Sequence, residues 1–374
     1  MLRIKNLIYI PCFLFLLSCG GGSGSNRITV LSDYYSKIVN NGYCIEYGLN
    51  DNDEVTLVCG VIDESDNSET QKIIRLSPNG EFKEYPLPVA ISNNKFIHVD
   101  PIKQNGKFFV FVSSLIIDDF TESVNLEPRK NKLSLPYSAP EYFIWNGRSY
   151  DKIDGYINAS SDNGRFFSVI KGNFDSPSRQ LLLDGDREIE LKSNDGTYPF
   201  QLVFRLTNTG NQYGPGYNDK GVIEDNLVWN VGGQRVLNRP VDSEEKRFYQ
   251  LNSINNKDNL LFDSFPISAD ELSKAEVYIQ YKDNSVFKKE VDLPALSSFV
   301  YDYNDNDLVV INHNFENYIF SPKSGLKNIR DFIDPDDQTT VYSLLFLNNR
   351  NKAVVTASFA EGGNKVLLVD LGNF

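Results

Sequence analysis

Seven times along this chain a short cluster of Asn, Asp and Gly stands directly before an apolar run, and that recurrence limits the fold more than any other feature. The clusters are Asp51-Asn52-Asp53-Glu54-Val55, Gln104-Asn105-Gly106-Lys107-Phe108, Asp162-Asn163-Gly164-Arg165-Phe166, Asn208-Thr209-Gly210, Asn256-Lys257-Asp258-Asn259-Leu260, Asn304-Asp305-Asn306-Asp307-Leu308 and Asn349-Arg350-Asn351-Lys352-Ala353. Aligning Asp53, Gly106, Gly164, Gly210, Asp258, Asn306 and Asn351 gives spacings of 53, 58, 46, 48, 48 and 45 residues. All seven are residue types that tolerate positive φ in tight turns, so each cluster predicts a hairpin.

A second turn recurs between the first set, at Pro78-Asn79-Gly80, Trp145-Asn146-Gly147, Asp184-Gly185, Gly232-Gly233, Asp283-Asn284, Ser324-Gly325 and Leu371-Gly372. Two hairpins per repeat make four strands. The flanking runs Phe108 to Val112, Leu227 to Val231, Leu308 to Ile311 and Val366 to Val369 suit strands buried on both faces. Four short strands at this period are the signature of a propeller blade. The fold class is therefore all-β, a β-propeller of seven four-stranded blades. Ser268-Ala269-Asp270-Glu271 has the Ser-x-x-Glu form of a capping box and predicts a helical turn in one loop. The last repeat ends one strand short, so Ile28 to Val39 is expected to supply the missing strand and close the ring, shielding a bare edge.

Several of these segments resemble the bacterial HAF-type extracellular repeats. They are Tyr142-Phe143-Ile144-Trp145-Asn146-Gly147, Ile254-Asn255-Asn256-Lys257-Asp258-Asn259-Leu260-Leu261, Tyr303 to Val310, and Tyr318-Ile319-Phe320 with Gly325-Leu326. The His-Ala-Phe triplet is absent, as is the Gly that usually follows the paired valines. The resemblance implies a repeat fold and an exported location.

The N-terminus carries the layout of a secretory signal: Arg3 and Lys5, an almost unbroken apolar run from Leu7 to Leu17, then the small Ser18. That run falls short of the ~20 residues a spanning helix needs. Leu16-Leu17-Ser18-Cys19 resembles the lipobox of bacterial lipoproteins, which implies lipidation of Cys19 and cleavage before it. Gly20 to Ser25 then reads as a flexible tether. The expected organisation is a signal peptide over 1–18, a lipidated tether over 19–27 and one propeller over 28–374. The implied partner at this end is a membrane. By resemblance to lipoprotein sorting rules, Gly20 favours the outer membrane of a Gram-negative envelope, and a Gram-positive cell offers only one membrane.

With Cys19 carrying lipid, Cys44 and Cys59 remain as a pair centred on the first turn, opposite each other in a hairpin and close enough for a disulfide. Loss of Arg3 and Lys5 takes the formal charge from −13 to −15. That balance, without a basic stripe, argues against nucleic acid. No phosphate-binding loop or dinucleotide fingerprint occurs, so no nucleotide and no cofactor is expected, and Gly-x-Ser-x-Gly and His-Glu-x-x-His are also missing.

The remaining candidates are sparse. His98 and His313 have no metal-spaced neighbours and read as structural, so no metal site is assigned. Asp51 to Glu54 and Asp302 to Asp307 do not match a calcium loop and read as solvated turns. Ser160 to Phe167 resembles a single Asp-box, a turn stabiliser. Two long segments are candidate partner-binding loops: 115–141, with Arg129, Lys130 and Lys132, and Gly210 to Gly221, with Tyr213 and Tyr217. The functional expectation is a non-enzymatic binding or scaffolding propeller for an envelope protein or a glycan. The alternative is a glycan-active hydrolase or lyase using carboxylates in the central funnel.

Overall fold

The structure is a computed structural model that describes residues 28–374 except 66–67, 89–94, 115–139, 174–175, 192–204, 218–222, 231–232, 238–239, 241–246, 268–273, 296–297, 334–340 and 359–362. Seven four-stranded antiparallel sheets form a ring. Blade 1 holds β2 (Gly42–Leu49) to β5 (Phe82–Tyr85), blade 2 β6 (Lys95–Val99) to β9 (Tyr150–Ile153), and blade 3 β10 (Tyr156–Ser160) to β13 (Arg187–Glu190). Blade 4 runs from β14 (Arg205–Leu206) to β17 (Gly233–Leu237), blade 5 from β18 (Arg247–Ile254) to β21 (Val286–Pro294), and blade 6 from β22 (Ser298–Tyr303) to β25 (Gly325–Asn328). Blade 7 joins β26 (Val341–Leu347), β27 (Lys352–Ser358) and β28 (Asn364–Asp370) to β1 (Ile28–Val30).

The closure follows the expected pairing, with Ile28 opposite Val369 and Val30 opposite Leu367. It is shorter than expected. After Val30 the chain turns into a 3-10 helix at Leu31–Tyr34 and one helical turn at Tyr35–Ile38. Leu31 and Val39 are buried there with Val55, Leu57, Val354 and Leu368, so this segment wedges between blades 7 and 1. Most of the other core clusters likewise join successive blades; one unites Leu308, Val310 and Ile319 of blade 6 with Leu344, Val355 and Leu367 of blade 7. Burial of these branched side chains supplies the main stabilisation.

The first strand of each blade lies innermost, and from blade 3 through blade 7 to blade 1 consecutive first strands touch. Six of the seven aligned turn residues have positive φ: Asp53, Gly106, Gly164, Gly210, Asp258 and Asn351. The sixth turn is a correction, because the left-handed residue is Asp307 rather than Asn306. Second-set turns show the same geometry at Gly80, Gly147, Gly185, Asn284 and Gly325. Leu371-Gly372 leads into no further strand; the Leu371 N–H instead donates to the Asn351 carbonyl at 2.9 Å. Ser268 to Glu271 lies outside the described residues.

Candidate functional site

Every first-set turn is built alike. The N–H of its fourth residue donates to the carbonyl of its first, at 3.0 Å in Asp53 to Asn50 and 2.8 Å in Gly106 to Lys103. The first residues are Asn50, Lys103, Ser161, Thr207, Asn255, Asn304 and Asn348. The four asparagines do two things at once. Asn304 Oδ1 accepts from the N–H groups of Asn306 and Leu308, at 2.9 and 3.0 Å, while its Nδ2 donates to the Asn348 carbonyl in the next blade at 2.9 Å. Asn348 repeats this towards the Asn50 carbonyl, Asn255 towards Asn304, and Asn50 towards Ile102. Buried amides thus latch blades 5, 6, 7, 1 and 2 together. Lys103, Ser161 and Thr207 have no amide to send across, so the series stops at blade 2, although Ser161 and Thr207 still reproduce the cap with a hydroxyl.

The second turn residues, Asp51, Gln104, Asp162, Asn208, Asn256, Asp305 and Asn349, form an inner belt. The Asn208 N–H donates to Asn256 Oδ1, Asn256 to Asp305, Asp305 to Asn349 and Asn349 to Asp51, each at 2.7 to 2.9 Å. Asp162 Oδ2 accepts from the side-chain amides of Asn256 and Asn349, at 2.9 and 3.3 Å, although those residues belong to blades 5 and 7. Below it Arg205 of blade 4 reaches Asp302 of blade 6 at 3.1 Å and Asp162 at 3.8 Å. Bonds between non-adjacent blades fill the lumen at this end. The carboxylates that a hydrolase would keep open in the funnel are here part of a polar plug.

The electrostatics of this plug follow from its partners. Burial raises the Asp162 pKa, but Arg205, Lys103 and the two amides outweigh it and hold the carboxyl below its usual value. Burial lifts Asp302, which Arg205 offsets only in part, and burial also lifts Asp51 against the Asn349 N–H. Arg205, Asp162 and Asp302 retain 26, 30 and 21% side-chain exposure, so water still screens them. The acidic clusters are therefore knitted rather than solvated. Asp53 is 4% exposed and meets Arg350 at 3.0 Å and Lys352 at 3.2 Å. Among the described residues no grouping of His, Cys, Asp and Glu has the arrangement of a metal site.

The opposite face has a different chemistry. It is built from the starts of the first strands and the connections between second and third strands. Tyr43, Ile45 and Ile62 of blade 1, Phe248 and Ile267 of blade 5, and Phe299 and Phe315 of blade 6 are all exposed there. They mark an apolar crescent over blades 5 and 6 that resumes at blade 1. Its sharpest point is the hairpin Asn314-Phe315, where the two residues have φ of 49° and 68° and Phe315 is 88% exposed. A two-residue turn with both φ positive favours Asn-Gly, and a bulky residue there is an outlier. Beside Phe315 lies an open groove of about 640 Å³ lined by Phe299, Asn317, Ser343 and Leu344.

The disulfide joins Cys44 and Cys59, cross-strand partners in blade 1, at the foot of this crescent. His98 stacks on Phe111 at 4.9 Å and meets the Tyr47 edge at 5.2 Å. Burial lowers its pKa, with Asp100 opposing. His313 Nδ1 lies 3.0 Å from Ser298 Oγ. Of the predicted loop residues, Tyr213 is a correction: it sits in β15 (Gln212–Tyr217) at 1% exposure, packed with Tyr249, Phe262 and Tyr278. Its Gly-Pro-Gly neighbours suggested a loop, yet they pair with Leu227, Asn226 and Asp225 in the sheet. Tyr217 closes the same strand, opposite Ile223. Arg129, Lys130, Lys132 and Cys19 lie outside the described residues. Neither the belt nor the crescent was among the predicted sites. A column of Asp, Asn and Gln before each left-handed turn residue was the available signal for the belt.

No family model matches the chain, and no curated protein matches it. Among solved structures it is similar to the β-propeller domain of the Trilobed protease from Pyrococcus furiosus, described as having an open velcro topology, with 13% identity over 89% of this chain and 96% of that one and a TM-score of 0.51. YCF48 bound to D1 peptide aligns at 10% identity over 89% of this chain and 98% of that chain, TM-score 0.46. The WD40 domain of SCAP from fission yeast aligns at 10% identity over 92% and 98%, TM-score 0.38. The first likeness speaks to fold alone, and the chain is a seven-bladed β-propeller whose velcro is closed by Ile28–Val30.

Proposed function

We propose that this chain is a lipid-anchored binding propeller of the bacterial envelope, held through Cys19, on the outer membrane where the source is Gram-negative, and presenting its apolar crescent to a partner. The observation that carries this is the contrast in satisfaction between the two ends of the ring. At the belt the acidic and amide groups are bonded to one another across the lumen. At the crescent seven large apolar side chains face solvent, more than scattered surface residues require. Glycan cleavage needs two carboxyls free to face the sugar, whereas Asp51, Asp162, Asp302 and Asp305 are engaged by amides or Arg205.

Two variants test the reading. Cys19→Ser is expected to move the protein from the membrane fraction to the soluble fraction; persistence in the membrane would remove the lipid anchor from the account. Phe248→Ser/Phe299→Ser, at positions 58 and 50% exposed, is expected to keep its melting temperature and lose any protein or glycan that co-purifies in mild detergent. Unchanged co-purification would place binding elsewhere.

A further inference from the structure

We propose that the crescent takes a polypeptide, an extended segment that is apolar and net basic, with Phe315 as the anchor against which its apolar side chain docks. This rests on the binding reading above and names its partner class.

Three observations converge on it. The first is strain. Asn314 already suits a left-handed turn, but Phe315 at φ 68° is a position where Gly is far better placed. Strain of this kind persists where a site uses the residue, and here the ring projects between the 640 Å³ groove and a smaller one of about 230 Å³ that reaches Asn328 and Tyr342. The second is charge. At the blade 1 end, Tyr43 and Ile62 stand beside Asp63, Glu64 and Glu69, to which the neutral groups of Ser65, Asn41, Tyr43 and Gln71 donate among the described residues. An apolar surface bordered by carboxylates on a chain of charge −13 selects a basic partner. At the blade 6 end Glu316 and Arg330 share the smaller groove, so selectivity there is apolar.

The third observation is where the chain leaves the ring. Ile28 pairs with Val369 beside the turn face, since Asp370 lies opposite Lys352 at the end of the last turn. The crescent is at the other end of strands seven to eight residues long, a span of roughly 25 Å. On the anchored reading above, the chain enters the ring from its anchor at the turn face, the end opposite the crescent, which leaves the crescent open to other proteins.

The test uses the mature chain and labelled peptides read by fluorescence anisotropy. A peptide alternating Arg or Lys with Phe or Leu is expected to bind. Its Glu/Phe and Lys/Ser counterparts are expected to bind at least tenfold more weakly. Phe315→Gly, which relieves the backbone, is expected to melt a few degrees higher and yet lose at least tenfold in peptide affinity; Glu64→Lys is expected to lose about threefold, with the difference vanishing in 0.5 M salt. Unchanged affinity in Phe315→Gly overturns the anchor, and equal binding of the Glu/Phe peptide overturns the basic partner. Binding to phosphatidylethanolamine/phosphatidylglycerol vesicles that depends on Phe315 assigns the face to lipid and overturns the proposal. If no peptide binds while Phe248→Ser/Phe299→Ser still loses a co-purifying molecule, the partner class fails and the binding reading stands.

Discussion

The two faces of this ring are made by the same strands, yet they treat exposed chemistry in opposite ways. On the turn face polar side chains of one blade bond to the next, so Asn304, Asn348 and Asp53 are nearly buried although they sit in loops. On the crescent face apolar side chains such as Phe248, Phe299 and Phe315 remain uncovered. A polar group buried without a partner costs free energy, so the turn face had to satisfy itself before the ring could close. An exposed phenylalanine contributes nothing to that closure. The difference separates residues that hold the propeller from residues left over for a partner, and each prediction below changes one side without touching the other.

The largest effect is expected at the latch. Asn304→Ala removes the cap on Asn306 and Leu308 and the donors to Asn348 and Asn351. A loss of about 3 to 4 kcal/mol in urea unfolding is expected, while the crescent is unaffected. A loss below about 1 kcal/mol would reduce the latch to decoration. Next is the disulfide, which closes a sequence separation of 15. Cys44→Ala/Cys59→Ala is expected to lower stability by about 3 kcal/mol under oxidising conditions, and the wild type to fall to the same level in reductant.

The pH profile separates two carboxyls of opposite sign. Asp263, between blades 5 and 6, is raised to about 6 by burial, with Asn252 and the Val300 N–H opposing. The native state then holds its proton more tightly than the unfolded chain, so this group's contribution falls as pH rises from about 4 to about 6. Asp162 is lowered, so its contribution is present above pH ~4 and is lost as pH falls below that value. Melting curves from pH 3 to 8 should show both slopes, and Asp263→Asn should flatten only the upper one. If the upper slope survives, another group is responsible.

The smallest effect is a gain. Thr207→Asn restores the missing amide at blade 4, and about 0.5 to 1 kcal/mol of added stability is expected if the new Nδ2 reaches blade 5. No gain would mean that the latch depends on more than the residue at this position.

Much of the ring was legible because its turns repeat. Positive φ needs Gly, Asn or Asp, and those residues marked six of the seven turns in place. The seventh shows what hid the rest. Aligning Asn306 instead of Asp307 put Tyr303 where Asn304 belongs, in a column that also holds Lys103, Ser161 and Thr207, and so left only Asn50, Asn255 and Asn348 to mark the latch. Tyr213 was misplaced because Gly214-Pro215-Gly216 has loop composition, yet these residues pair with β16 (Ile223–Asn230) inside the blade 4 sheet. The crescent had no signal at all. Phe299 and Val300 are neighbours in one strand, and only the ring decides that Val300 is buried and Phe299 is not.

Site-specific photo-crosslinking in the native envelope tests the central claim most directly. A benzophenone side chain replacing Phe299 on the crescent is compared with one replacing Arg350 on the turn face, both exposed. Crosslinks to a protein from position 299 and none from position 350 are predicted. Crosslinks from 350 alone, or none from either, would contradict the assignment of the crescent as the binding face.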